Sequence, residues 1–162
     1  MIKYWQNNSA HMMQLVVEHA RMVLIALIIA FLVAIVLIVC FLRKKNWMNG
    51  LIYFFSLLYS VPSYAFFALL IPITGLGETT AIIVLAFYNE YVLLRTFITG
   101  IQEVDPNYIE IARGMGMTEQ EIFTEVQLPL AMPAIFSGLQ VALASTMAIA
   151  TIASTISAGG LG

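Results

Sequence analysis

The sequence predicts an all-α integral membrane protein: a polytopic bundle of about four transmembrane helices, with one polar hairpin set between two of them. Three observations predict it. Of 162 residues, 61% are hydrophobic and 10% charged, against roughly 25% charged in ordinary soluble domains, so a water-soluble fold could not cover the apolar surface. The run "MVLIALIIAFLVAIVLIVCFL", residues 22–42, has 21 residues and no charge. Between two later apolar runs, "IEIARGMGMTEQEIFTEVQLP", residues 109–129, carries four glutamates, one arginine and two helix-breaking glycines.

Residues 1–21 read as an outer N-terminal segment holding Tyr4, Trp5 and two histidines. Ser9 is placed to cap a helix whose Met12, Met13, Val16, Val17 and Ala20 share one face, which predicts an interfacial helix on the outer leaflet. His11 and His19 are eight apart, too far for an i,i+4 metal pair, and are expected in solvent. Residues 22–42 reach about 31 Å as a helix, the thickness of the hydrocarbon core. The run is too long for a signal-peptide core and no small-residue cleavage site follows, so it is a retained first span. Its Cys40 is the single cysteine, which excludes a disulfide framework and predicts a small side chain facing lipid or core. The second span covers 47–72, with Pro62 expected to kink or break it where neighbouring helices satisfy the freed backbone. "ITGLGE" forms a turn on Gly75 and Gly77. The third span is 79–99 and the fourth 129–152.

Basic residues set the orientation. With Arg43, Lys44 and Lys45 in the cytoplasm, Arg95 and Arg113 fall on the same side and only Lys3 and Arg21 lie outside. The N-terminus is therefore expected outside and residues 101–128 in the cytoplasm.

That cytoplasmic segment reads as two short helices joined by a sharp turn. Asp105 caps the first, with Pro106 at the first helical position, where its missing N–H costs nothing. Tyr108, Ile111, Ala112 and Met115 recur at helical spacing as one apolar face. Gly114 and Gly116 are expected to end the helix in left-handed geometry. "TEQE" is a capping box, Thr118 with Glu121. The second helix, about 119–127, sets Ile122, Phe123 and Val126 against Glu119, Glu121 and Glu125, and Leu128–Pro129 is expected to close it. A hairpin packing its own apolar face onto the spans is the plain structural reading. A helix lying on an anionic leaflet would favour Lys and Arg, whereas this segment has six acids from Glu103 to Glu125 and one arginine. That acidity points to a protein partner with basic groups.

The spacing then supplies a family. Glu110, Ile111, Ala112, Gly116, Val126, Leu128 and Pro129 stand in register with the cytoplasmic EAA loop of binding-protein-dependent ABC importer permeases: Glu-Ala-Ala, three residues, Gly, nine residues, Ile-x-Leu-Pro. Ile111 and Val126 depart from the pattern and stay apolar. The chain thus resembles a type I ABC importer permease with the MetI-like fold. The resemblance implies that Glu110, Ala112, Gly116, Thr118, Glu121, Leu128 and Pro129 belong to a coupling helix seated on a cytosolic ABC ATPase dimer. It further implies a second permease subunit, identical or related, and an extracellular or lipid-anchored binding protein. The sequence has no Walker A pattern and no basic residue after Arg113, so ATP and Mg are expected on the partner ATPase, with no cofactor on this chain. Members continue past "AGGLG" into another span; that last helix is missing here, and a truncated chain is expected.

"VDPNYIEIARGMGMT", "ISAGGLG" and "SVPSYAFFALLIPITGLG" are most similar to the Opu-type permeases, which import glycine betaine, carnitine, choline and similar quaternary amines. Methionine importer permeases share several of these motifs and stay open as the alternative. A small stress-related channel and an integral-membrane enzyme are the readings from other classes. No nucleophile–base set or metal-ligand cluster favours the enzyme, no filter-like repeat or charged ring favours the channel, and there is no basic patch for nucleic acid. The third span departs from the Opu pattern by placing Asn89 and Glu90 in mid-span. A carboxylate at that depth costs about 2.5–3.5 kcal/mol unless a cavity or partner receives it. Asn89 and Glu90, with Tyr88 and Tyr91 adding cation–π faces, are candidate translocation-pathway residues; a structural carboxylate is the competing reading. Arg95 is a poor partner for Glu90, since five residues turn a helix by about 140°. The aromatic residues of 53–67 are expected to pack helices rather than cage a ligand.

Overall fold

The computed structural model describes the backbone of residues 2–41 and 44–162 and the side chains of 8–41, 44 and 46–162. The expectations for Lys3, Tyr4, Trp5, Arg43 and the Lys45 side chain fall outside the described residues. All regular structure among the described residues is helical: α1 (Ile2–Phe41), α2 (Lys45–Ser60), α3 (Ser63–Thr74), α4 (Glu78–Gln102), α5 (Pro106–Gly114), α6 (Glu119–Glu121), a π-helical turn (Ile122–Gln127) and α7 (Leu128–Ala153). Three stretches, Asn8–Phe41, Glu78–Gln102 and Glu119–Ile156, are long and apolar enough to cross a membrane, and the bent α2–α3 pair makes a fourth if it counts as one span.

Three boundaries differ from the sequence reading, and the expected kink or break at Pro62 is a full break. Residues 9–21 and the first span are one helix, since no Gly or Pro stands between Ser9 and Phe41, and a non-helical Asn8 (φ −125°, ψ 18°) separates it from the turns before. Ser9 is thus inside the helix rather than a cap. Pro62 breaks the second span outright, with α2 and α3 at 98°, because Val61 and Pro62 are both extended and the proline biases its predecessor away from helix. Gly116 is left-handed (φ +88°) whereas Gly114 is the last helical residue. Finally, Leu128–Pro129 does not end a helix. The i→i+5 turn before it absorbs the ring and the missing N–H of Pro129, which an uninterrupted α register would set against the Glu125 carbonyl, and the chain runs straight into α7.

α4 is the centre of the bundle, packed on α1, α2, α3 and α7. Its N-terminal half joins Met22, Val23, Ala26, Phe67, Leu85 and Ala150 in one apolar cluster. Its C-terminal half joins Ala34, Met48, Leu94, Ile98, Ala131 and Ala142 in another. α4 and α7 cross closely: a Cβ on Gly100 would stand 2.5 Å from the Ala134 Cβ, and one on Gly138 would overlap the Thr96 hydroxyl. At the N-terminal end of α4, Arg21 of α1 pairs with Glu78 (2.6 Å). His19, expected in solvent, is buried, because the "AGGLG" segment lies over it and the Leu161 N–H donates to its Nδ1 (3.4 Å). His11 and Cys40 are exposed; an exposed thiol in this apolar helix suits a lipid-facing position.

Candidate functional site

The polar hairpin is built by local rules. The Asp105 carboxylate accepts from the Asn107 N–H (2.9 Å) and Pro106 starts α5. At the other end the Met117 N–H reaches the Ala112 carbonyl (3.2 Å) across left-handed Gly116, a Schellman closure that only a residue without a Cβ adopts freely. The capping box closes in both directions. The Glu121 N–H donates to the Thr118 hydroxyl oxygen (3.4 Å), while the Thr118 N–H and hydroxyl both donate to Glu121 Oε2 (2.7 Å each). Those hydrogen bonds, the backbone one first, hold the Glu121 carboxyl below its ordinary pKa. Sequence reasoning missed one feature: Arg113 Nη2 and Nε donate to Glu119 Oε1 at 2.8 and 3.1 Å, tying the end of α5 to the start of α6. A pair six residues apart meets only after the glycine turn has reversed the chain, so no helical spacing flags it.

The orientation of the hairpin matters more than its existence. Of the α5 apolar face, only Ala112 is buried; Tyr108, Ile111 and Met115 are 54%, 62% and 76% exposed. The hairpin therefore does not spend this face on its own spans. Glu110, Gly116, Thr118, Glu121 and Pro129 are exposed, Leu128 half-buried, and Ile122 anchors the π turn in the protein. The result is a rigid projection with apolar residues beside carboxylates, mounted on a helix continuous with α7.

The four mid-span candidates are consecutive on α4 and so point in different directions. Asn89, 1% exposed, accepts at Oδ1 from the Thr146 hydroxyl of α7 (2.6 Å), and its Nδ2 has no protein partner. The Tyr88 hydroxyl donates to the Val61 carbonyl at the α2–α3 break, and its ring lies 5.4 Å from Tyr59 and 5.9 Å from Phe66. Tyr91 lies 4.9 Å from Tyr59. These contacts are helix packing, as the aromatic residues of 53–67 were expected to show. Glu90, 3% exposed, turns instead toward α1 and α2, where it lines a cavity of about 220 Å³, and its Oε1 has no partner. The structure thus separates Glu90 from Tyr88, Asn89 and Tyr91 rather than gathering one site.

Comparison with known proteins now places the chain. The pattern of the family described as "binding-protein-dependent transport system inner membrane component" matches residues 22–162. The glycine betaine/carnitine/choline transport system permease protein OpuCB of Bacillus subtilis is 36% identical over 162 residues, covering 100% of this chain and 75% of that protein. The choline transport system permease protein OpuBB of Bacillus subtilis is 37% identical over 161 residues, covering 99% and 74%. Among solved structures, the inward-facing MetNI methionine ABC transporter superposes with a TM-score of 0.76 at 20% identity, covering 88% of this chain and 73% of that one; at that identity it speaks for the fold alone. The all-helical bundle, the membrane-length apolar helices and these matches agree: this multi-pass membrane chain belongs to the inner-membrane permease family of binding-protein-dependent ABC importers.

Proposed function

We propose that the chain is the permease subunit of an ATP-driven importer for small quaternary amines such as glycine betaine, carnitine or choline, driven by a cytosolic ABC ATPase dimer that carries ATP and Mg. The observation that carries the coupling role is the hairpin: both helices capped, the turn closed, and Tyr108, Ile111 and Met115 left uncovered beside Glu110. A partner surface with basic groups around an apolar cleft matches it. Because α6, the π turn and α7 form one continuous helical path, displacing the hairpin displaces a membrane span. The substrate class is supported by what OpuCB and OpuBB are named for. The methionine alternative has the shared motifs and the shared fold behind it, at 20% identity to the methionine transporter. The distribution of basic residues supports a hairpin in the cytoplasm and an N-terminus outside, with a second permease subunit and a binding protein completing the importer.

Co-purification tests the assignment. Mild detergent extraction of tagged permease from its native membrane should bring down a Walker-containing ATPase, with a cysteine at position 110 crosslinking to it. Repeated extraction of the permease alone, with no crosslink, would remove the importer reading.

A further inference from the structure

The cavity beside Glu90 opens at the surface of the bundle, where Ile29, Val33 and Phe87 are exposed. Ile29 and Val33 of α1, Phe55 of α2, and Ile83 and Phe87 of α4 line it, and Glu90 is its one polar residue. Its volume of about 220 Å³ is many times the roughly 10–15 Å³ that one water needs, room for a small trimethylammonium compound. Water would find few partners on such walls, and neither His, Lys nor Arg lines the cavity to pair with the carboxylate. Glu90 Oε1 is buried and unpartnered. The Phe55 and Phe87 rings stand 6.3 Å apart at 37°, and Phe66 packs against Phe87 edge-on at 5.9 Å, which holds that ring in place.

A lone carboxylate, two aromatic rings and apolar walls suit one chemistry: a compact, weakly hydrated cation whose charge is spread over methyl groups. A metal ion or ammonium would ask for oxygen ligands that the cavity lacks. A zwitterion would bring its own carboxylate into the same small volume and be repelled, which is discrimination by an unfavourable group rather than by extra contact. We infer that the Glu90 cavity is a binding site for the cationic head of a singly charged quaternary ammonium, and that it biases the permease toward choline-like substrates over zwitterions such as glycine betaine. This rests on the importer reading above and goes beyond it by ordering the substrates.

The test uses the intact permease–ATPase complex in detergent without binding protein, and the complete importer in proteoliposomes. Labelled choline should bind the wild-type complex and be displaced by tetramethylammonium, while glycine betaine competes at least about tenfold more weakly. In proteoliposomes, Glu90→Gln should lower the choline-to-betaine uptake ratio by about tenfold, and Phe87→Leu should lower it less. Equal displacement by glycine betaine and tetramethylammonium in the wild type, which needs no variant to fold, overturns the inference. So does an unchanged ratio in a monodisperse Glu90→Gln complex, the result expected if a lipid chain or neighbouring subunit fills the cavity. A wild-type importer that takes up both amines with no Glu90-dependent ratio leaves the importer reading standing and sinks only this site. One that takes up neither sinks both.

Discussion

The hairpin of residues 105–129 and the polar patch at 88–91 carry the chain's two unusual polar groupings, and they satisfy polarity in opposite ways. In the hairpin, partners lie within six residues: Asp105 with Asn107, Thr118 with Glu121, Arg113 with Glu119. Every one of those pairs is exposed, so the order is local and water stands ready to replace it. In mid-α4 the partners come from elsewhere in the chain, Thr146 for Asn89 and Val61 for Tyr88, and two buried atoms, Asn89 Nδ2 and Glu90 Oε1, have none. A polar surface that must be presented to a partner can be built by sequence-local rules. A polar group inside a bundle depends on which helix faces it.

Charge reversal on the presented surface should produce the largest effect. Glu110→Lys, exposed and making no intrachain bond that holds the hairpin, should insert normally and lose ATP-coupled uptake by about tenfold or more, since like charges now meet across a docking surface. Expression, monodispersity and uptake are the readouts, and normal transport would dissolve the contrast by making the surface irrelevant. Next comes the interior. Thr146→Val leaves a buried Asn89 Oδ1 without its donor and should cost about 1–3 kcal/mol, read as a lower thermal midpoint in detergent; an unchanged midpoint would show that the buried pair matters no more than an exposed one. The smallest effect belongs to the cap. Thr118→Ala should weaken coupling only partially and return the Glu121 carboxyl toward its ordinary pKa, observable by NMR titration. The sign follows from the depressed pKa: the cap's contribution is present above the ordinary glutamate range and lost as pH falls through the lower folded value. A Glu121 titration identical in both proteins would contradict the box.

The same division decides how much was legible in the sequence. Caps, the Gly116 turn and the α4 span follow from spacing, because their causes sit within a few residues. The continuity of α1 from Ser9 to Phe41, the uninterrupted run through Pro129 and the burial of His19 do not. The first needed the absence of any breaker between Ser9 and Phe41 to outweigh a capping signal. The second needed a π turn, which propensity does not mark, and the third depended on Leu161, 142 residues away. Likewise "Tyr-Asn-Glu-Tyr" signalled that mid-α4 is special, whereas the direction each side chain takes belongs to the packing of α1, α2 and α7 around it.

On the proposed function, ATP hydrolysed on a partner moves a quaternary amine through this chain. ATP-dependent uptake by the complete reconstituted importer tests it most directly, with labelled glycine betaine, choline and methionine compared in one preparation. Accumulation of one or both amines is expected, abolished when ATP is withheld and untouched by excess methionine. Accumulation of methionine alone, or amine entry that does not depend on ATP, would contradict it.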